Sequence, residues 1–492
     1  MFKVLRGVWI LALAVSALAQ QSQPAPPTQL SPGTVIASQS CAAKPDQSYA
    51  LYLPSHYAPN KKWPIVYAFD PDARGEIPVK LMQDAAERFG YIVVGSNNSR
   101  NGSWKMETEA AQAMWNDTHA RFAIDDRRIY FAGFSGGARV AAALAQNCKC
   151  SAGVLLSGAG FAGVPPSRDV VFPVFAAVGV YDFNYPELSD LDEKLEAAGF
   201  PHTLHHFDGP HQWAPAEVMA EAFAWFELMA MKQNREPRDD NFIASQQKEA
   251  LARAQALEHS GDSYEAWREY RYAAATFDGL TDTAAFRQAA ASLAQQKAVL
   301  DGQKREKEEA KEQEQLVAGI EAGMMSLRRA TSSGTDTPSQ LAQQRGAAGS
   351  APQGNDASRS DIFHETEQQI VSLRGRTAAE KNQDRLRVDR RALAGVFIAA
   401  GEFGDESVDA KNVDLAREYY QLAVDANPAS LGALKELAKA QALCNDRKGS
   451  LKTLRQAKEE AKDSASFSAW LSDEPAFAKL RQDPQFRALT NP

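Results

Sequence analysis

The chain is expected to be α/β in its first half, with a mostly parallel sheet, and all-α thereafter. Three observations predict this. Apolar β-forming runs alternate with helical runs to about residue 235, the pattern of strands joined by crossover helices. Within that stretch, Ile129-Tyr130-Phe131-Ala132 runs into Gly133-Phe134-Ser135-Gly136-Gly137, and an alanine-rich helical run follows from Val140 to Ala145. From Asn241 the composition turns to Ala, Gln, Glu, Lys and Arg, and no strand signal remains.

A length of 492 residues predicts two or three domains. The N-terminus reads as an export signal over residues 1–19. Lys3 and Arg6 precede an apolar run from Val8 to Ala19, and Ala17-Leu18-Ala19 offers a small-x-small cleavage site. That run is too short to span a bilayer comfortably, so no transmembrane span is expected in the mature chain, which should be secreted or periplasmic. Residues 20–34 form a Pro-containing leader. The formal net charge of -8 argues against nucleic-acid binding, which needs a basic surface.

The elements follow in order. Tyr49–Pro54 and Trp63–Phe69 read as strands, Val79–Phe89 as a helix and Tyr91–Gly95 as a strand. Glu107–Phe122 is helical, and the strand before Ser135 comes next. Ser151–Leu156 and Val171–Val180 are apolar strands, Leu188–Ala198 is a helix, and Thr203–Phe207 is a last strand. A closing helix covers Ala216 to about Lys232. In such sheets the chemistry collects beyond the carboxyl ends of the strands.

Gly-x-Ser-x-Gly between a strand and a helix is the setting of a nucleophile elbow. There the serine sits on a strained turn and its neighbours must be small. A base and an acid are then sought on later loops. Of eight histidines, His56 lies near a turn, His119, His259 and His364 fall in helical stretches, and His202, His205 and His206 lie at or on the last strand. Only His211 follows that strand inside a Gly-Pro turn. Asp182 closes an apolar strand, and Asp190, Asp192 and Asp208 are alternatives. The first two fall on a solvated helix face, and the third can serve the turn before His211.

Serine, then an acid at a strand end, then a histidine on a following loop is the α/β-hydrolase order. Asp126-Arg127-Arg128-Ile129-Tyr130 leading into Gly133-Phe134-Ser135-Gly136-Gly137, with Gly209-Pro210-His211-Gln212-Trp213, resembles that superfamily. The likeness is to its dienelactone-hydrolase, polyhydroxybutyrate-depolymerase and feruloyl-esterase branch, and it covers roughly residues 35–235. It implies Ser135 as nucleophile, His211 as base, Asp182 as the orienting acid and the Gly136 N–H as one oxyanion donor. Relatives often carry His-Gly after the third strand, where this chain has Asp70-Pro71-Asp72. Pro71 cannot donate, so Asp72 N–H is expected as the second donor. Asn98, Ser99, Arg100 and Trp213 are candidate substrate contacts, although Asn98-Ser99 also fits a self-hydrogen-bonded turn. Gly158–Phe172 is short where relatives insert a cap, which suits a bulky or polymeric ester. The resemblance implies no metal or other cofactor.

Cys41 can pair with Cys148 or Cys150, and the Cys-Lys-Cys pair lacks a nearby second ligand pair, so its role reads as structural. Residues 241–329 form a helical region, and the mixed-charge run Lys304–Glu312 within it reads as a solvated helix. Residues 330–360 read as a disordered linker. Residues 361–492 resemble tetratricopeptide repeats. Ala416, Tyr420, Ala423 and Pro428 stand at closing spacings, a weaker copy covers Leu437 to Ala457, and Gly404–Lys411 reads as an insertion. Two function classes follow: an exported serine esterase (or a peptidase with the same residues) whose helical repeats bind a protein partner, or an inactive hydrolase-fold adaptor.

Overall fold

β-branched and aromatic runs build one eight-stranded sheet from Val35–Ser40 (β1), Ser48–Tyr52 (β2), Trp63–Phe69 (β3), Ile92–Ser96 (β4), Ile124–Phe134 (β5), Ser151–Ser157 (β6), Val174–Gly179 (β7) and His202–Phe207 (β8). The order is β1-β2-β4-β3-β5-β6-β7-β8. The first two pairings, β1 with β2 and β2 with β4, are antiparallel, and all the others are parallel. The computed structural model describes residues 31–162, 171–331 and 358–490. Every residue of β3, β4, β6 and β7 is buried. Such continuous apolar strands require cover on both faces. Glu76–Phe89 (α1), Trp104–Arg121 (α2), Gly136–Asn147 (α3), Tyr185–Ala198 (α4) and Ala216–Lys232 (α5) supply it.

Parallel pairing brings the carboxyl ends of β3, β5, β6, β7 and β8 to one edge. Phe69 lies opposite Gly133, and Phe134 opposite Ser157. Helix α3 leaves β5 so sharply that a Cβ on Gly133 would collide with the Gly137 carbonyl, and one on Gly137 with the Phe69 carbonyl. Glycine at both positions is what lets strand and helix approach that closely.

The helical half continues with Asp240–His259 (α6), Ser263–Phe277 (α7), Ala284–Ala294 (α8), Lys297–Thr331 (α9), Arg359–Ala379 (α10) and Gln383–Asp409 (α11). It ends with Val413–Ala426 (α12), Leu431–Leu443 (α13), Arg447–Glu460 (α14), Ser464–Asp473 (α15) and Pro484–Thr490 (α16). Helices α6 and α7 bury Ile243, Ala250, Ala266 and Tyr270 in the same apolar cluster as Trp225 and Phe226 of α5. Helices α12 to α16 close a second cluster around Tyr420, Leu437, Leu454 and Phe477. The described residues from Pro32 onward form one compact unit, so the helical half is not a detached module.

Several expectations are corrected. β1, at the sheet edge, adds a strand to those expected. The run Lys304–Glu312 is not a purely solvated face, because Glu306 accepts from Tyr264 and Ser189 while Glu309 pairs with Arg387 and Arg391. Charges at helical spacing look alike whether solvent or a buried arginine faces them. Gly404–Lys411 is no insertion, since α11 continues to Asp409. A Cβ on Gly404 would collide with the Tyr420 ring, so that glycine serves helix packing rather than a turn. Cys148 pairs with Cys150, and Cys41 stays free and buried. The export signal, most of the leader and linker, and residues 163–170 of the cap position lie outside the described residues. Among the described residues, no helix is long and apolar enough to cross a membrane.

Candidate active site

Ser135 occupies the turn between β5 and α3 with φ 51° and ψ -123°. A non-glycine residue rarely adopts that conformation, and it persists only where the surroundings over-determine it. Here the strand ladder and the two glycines do so, and they lift the Ser135 side chain off the sheet edge. Its Oγ lies 2.9 Å from His211 Nε2, and His211 Nδ1 lies 2.8 and 2.9 Å from the Asp182 carboxylate oxygens. Three residues from three separate loops thus meet in one hydrogen-bonded line. Neither carboxylate alternative on α4 is there: Asp192 bonds Tyr272, and Asp190 pairs with Lys194.

Each member is held by its surroundings. Asp182 is fully buried at the end of β7, and its Oδ1 also accepts from Asn184 N–H at 2.8 Å. The His211 ring sits between Phe134 (centroids 4.6 Å apart) and Phe183 (4.4 Å). Gly158 has φ +64°, and a Cβ there would crowd Asp182 and His211, so only glycine fits. Trp213, two residues after His211, is turned inward and donates its indole N–H to Asp70 Oδ2 at 2.8 Å. It is a buried support rather than the substrate contact the sequence suggested.

The oxyanion side departs from expectation. Gly136 opens α3, so its N–H has no intrahelical acceptor and is available at the positive end of the helix. Asp72 N–H, expected as the second donor, is committed to Asp70 Oδ1 at 3.0 Å, and Ala73 N–H to the Asp70 carbonyl at 3.2 Å. The Asp72 carboxylate is paired with Arg74. Burial pulls the Arg74 guanidinium down, but its hydrogen bonds to Asp70 and the charges of Asp70 and Asp72 together outweigh this and hold it above its ordinary value. The group nearest a side chain at position 136 is instead the carboxamide of Asn101, whose Nδ2 donates to Glu402 Oε1 at 3.3 Å.

Asn98 and Ser99 are held structurally, their N–H groups on Ser96 Oγ. Asn98 also bonds Ser48 N–H and the Asp46 carbonyl, and Ser99 is buried. Arg100 is exposed and bridges backbone to backbone with Asp72. Sequence reasoning missed Arg139, one turn into α3, which grips Glu187 through two bonds of 2.6 and 2.7 Å. Burial lowers Arg139, yet Glu187 wins and holds its guanidinium above the ordinary value. Glu187 Oε1 also accepts from Gly160 N–H, tying the loop after β6 to α4. Among the described residues, no cluster of three or more His, Cys, Asp or Glu could hold a metal ion.

No protein-family profile matches the chain, and no curated protein matches it. Solved structures do. The chain is similar to a fluorophosphonate-binding serine hydrolase from Staphylococcus aureus, at 13% identity over 40% of this chain and 98% of that one, with a TM-score of 0.33. A ferulic acid esterase matches at 16% identity over 40% of this chain and 98% of its own, with a TM-score of 0.34. Esterase B from Lactobacillus rhamnosis matches at 14% identity over 41% and 89%, also with a TM-score of 0.34.

Proposed function

We propose that the chain is an exported serine hydrolase that cleaves carboxylic esters through an acyl-enzyme on Ser135. The observation that carries this is the line Oγ–Nε2, Nδ1–carboxylate, at 2.9 and 2.8 Å, on a serine held at positive φ. Ser135 Oγ attacks the ester carbonyl while His211 Nε2 takes its proton, and Asp182 holds the imidazole in the tautomer this requires. Gly136 N–H steadies the oxyanion, and the Asn101 carboxamide beside Gly136 is the candidate second donor. His211 then protonates the departing alcohol, and water repeats the sequence to free the acid. The active branch, the preference for bulky esters and partner binding by the tetratricopeptide-like helices belong to the same proposal.

The test is hydrolysis of p-nitrophenyl esters of rising acyl length, an aryl ester and a peptide amide, by wild type and Ser135→Ala. Ester turnover that disappears in the variant supports the esterase. Preference for the amide moves the reading to a peptidase. The committed Asp72 amide favours one rival, an inactive adaptor, and absence of any turnover in wild type would favour it over the enzyme.

A further inference from the structure

The loop that carries Asp182 runs from Val180 to Asn184, between β7 and α4. Its N–H groups are met within the sheet half: Val180 by the Phe207 carbonyl at 2.9 Å, Tyr181 by that of Gly209 at 3.0 Å, and Asp182 by that of Gly179 at 3.0 Å. Its carbonyls on either side of Asp182 are met from elsewhere. Val180 C=O accepts from Arg391 Nε at 2.8 Å, and Phe183 C=O accepts from Gln313 Nε2 at 2.7 Å. Arg391 lies on α11 and Gln313 on α9, both far downstream. The Arg391 side chain is only 2% exposed, stacks 3.7 Å over the Tyr185 ring and is anchored by Glu309 at 3.1 Å. Four residues on, a Cβ on Gly395 would come 3.3 Å from Phe183 Cβ, so α11 lies directly against the residue whose ring backs His211. Further along the same helix, Glu402 reaches Asn101 beside the nucleophile.

A loop that merely needed solvation would offer those carbonyls to water. Here a buried guanidinium and an amide fix both ends of the tetrapeptide that holds the acid, and buried charge-assisted hydrogen bonds are directional. We infer that Arg391 and Gln313 are positioning residues for Asp182, so that the helical half is part of the catalytic apparatus as well as a binding surface. This rests on the serine-hydrolase reading above. Neither residue touches substrate. Each acts by holding the Asp182 carboxylate where His211 Nδ1 can donate to it.

The experiment uses the full chain and compares wild type, Arg391→Gln, Arg391→Lys, Gln313→Ala and Ser135→Ala. Competent sites are counted by fluorophosphonate titration, kcat per titrated site and KM are measured on a p-nitrophenyl ester, and the downfield Nδ1 proton of His211 is followed by NMR, assigned by its loss in His211→Ala. Misplacement of a catalytic group by about 1 Å costs roughly 10²-fold. Arg391→Gln and Gln313→Ala are therefore expected to lose on the order of 10- to 10²-fold in kcat per site, with KM unchanged and the Nδ1 resonance shifted or broadened. Arg391→Lys, which can still donate to Val180, should recover part of the loss. A purely structural defect would lower the number of titratable sites and leave kcat per site alone. Retention of kcat per site and of the resonance in both Arg391→Gln and Gln313→Ala overturns the inference. If wild type turns over no ester, the functional reading falls, and the resonance alone still decides whether α9 and α11 position Asp182.

Discussion

The Trp213 indole N–H donates to the fully buried carboxylate of Asp70 at 2.8 Å, joining the loop that carries His211 to the end of β3, the strand beside the elbow strand. Asp70 also takes Arg74 Nε at 2.8 Å, Asp72 N–H at 3.0 Å and Arg74 Nη2 at 3.2 Å, so one carboxylate gathers four donors from three residues. Removing one partner of a hydrogen bond to a buried charge costs about 1.5–3 kcal/mol. Trp213→Phe should lower the unfolding free energy by about that much, and reduce kcat as the His211 loop loosens. Denaturant titration checks the first and ester kinetics the second; an unchanged midpoint would show that the bond carries no weight.

Asp182→Asn leaves the shape of the site but offers an amide N–H to His211 Nδ1, which forces the wrong tautomer. Such a change costs on the order of 10⁴ in kcat. Steady-state kinetics of the purified variant, with KM little altered, would match; a loss below about tenfold would remove Asp182 from its role.

Asn101→Ala tests the oxyanion side. Loss of a side-chain donor there costs on the order of 10²–10³ in kcat. The variant should show this with KM nearly constant, since the bond forms only as charge develops on the substrate oxygen. Wild-type kcat in the variant would remove Asn101 from the oxyanion side.

Three catalytic candidates were legible because each carries a local signature: a Gly-flanked serine, an acid at a strand end, a histidine in a Gly-Pro turn. Chain order alone then assembled them. The strands were legible too, most sharply Trp63–Phe69, because two-faced burial leaves an unbroken apolar run. Asp70 takes the Asp72 amide in an Asx turn, a local signature that Asp70-Pro71-Asp72 does carry. What stayed hidden depends on distant partners. Arg391 and Gln313 meet the acid loop across 211 and 130 residues of chain, and no spacing rule reaches that far. The Cys148–Cys150 link joins near neighbours, and cysteine spacing alone does not choose among pairings.

Stability should also depend on Glu107, buried in the first turn of α2. Burial pushes its carboxyl up to about 7, from an ordinary value of 4.5. Below the ordinary value both folded and unfolded chains hold the proton, so the group contributes nothing to pH dependence. As pH rises toward the folded value the unfolded chain releases it more readily, and stability is lost until the cost is complete above about pH 7. Glu107→Gln removes that titration. Its melting temperature should gain on wild type between about pH 5 and about pH 8, and a constant difference across that range would contradict the burial argument.

The most direct measurement is intact-mass and peptide-mass analysis of the full chain after treatment with a fluorophosphonate. The account predicts one covalent adduct, on the peptide containing Ser135, formed quickly in wild type and absent from Ser135→Ala and His211→Ala. A wild-type chain that stays unmodified, or an adduct carried on any other residue, would contradict it.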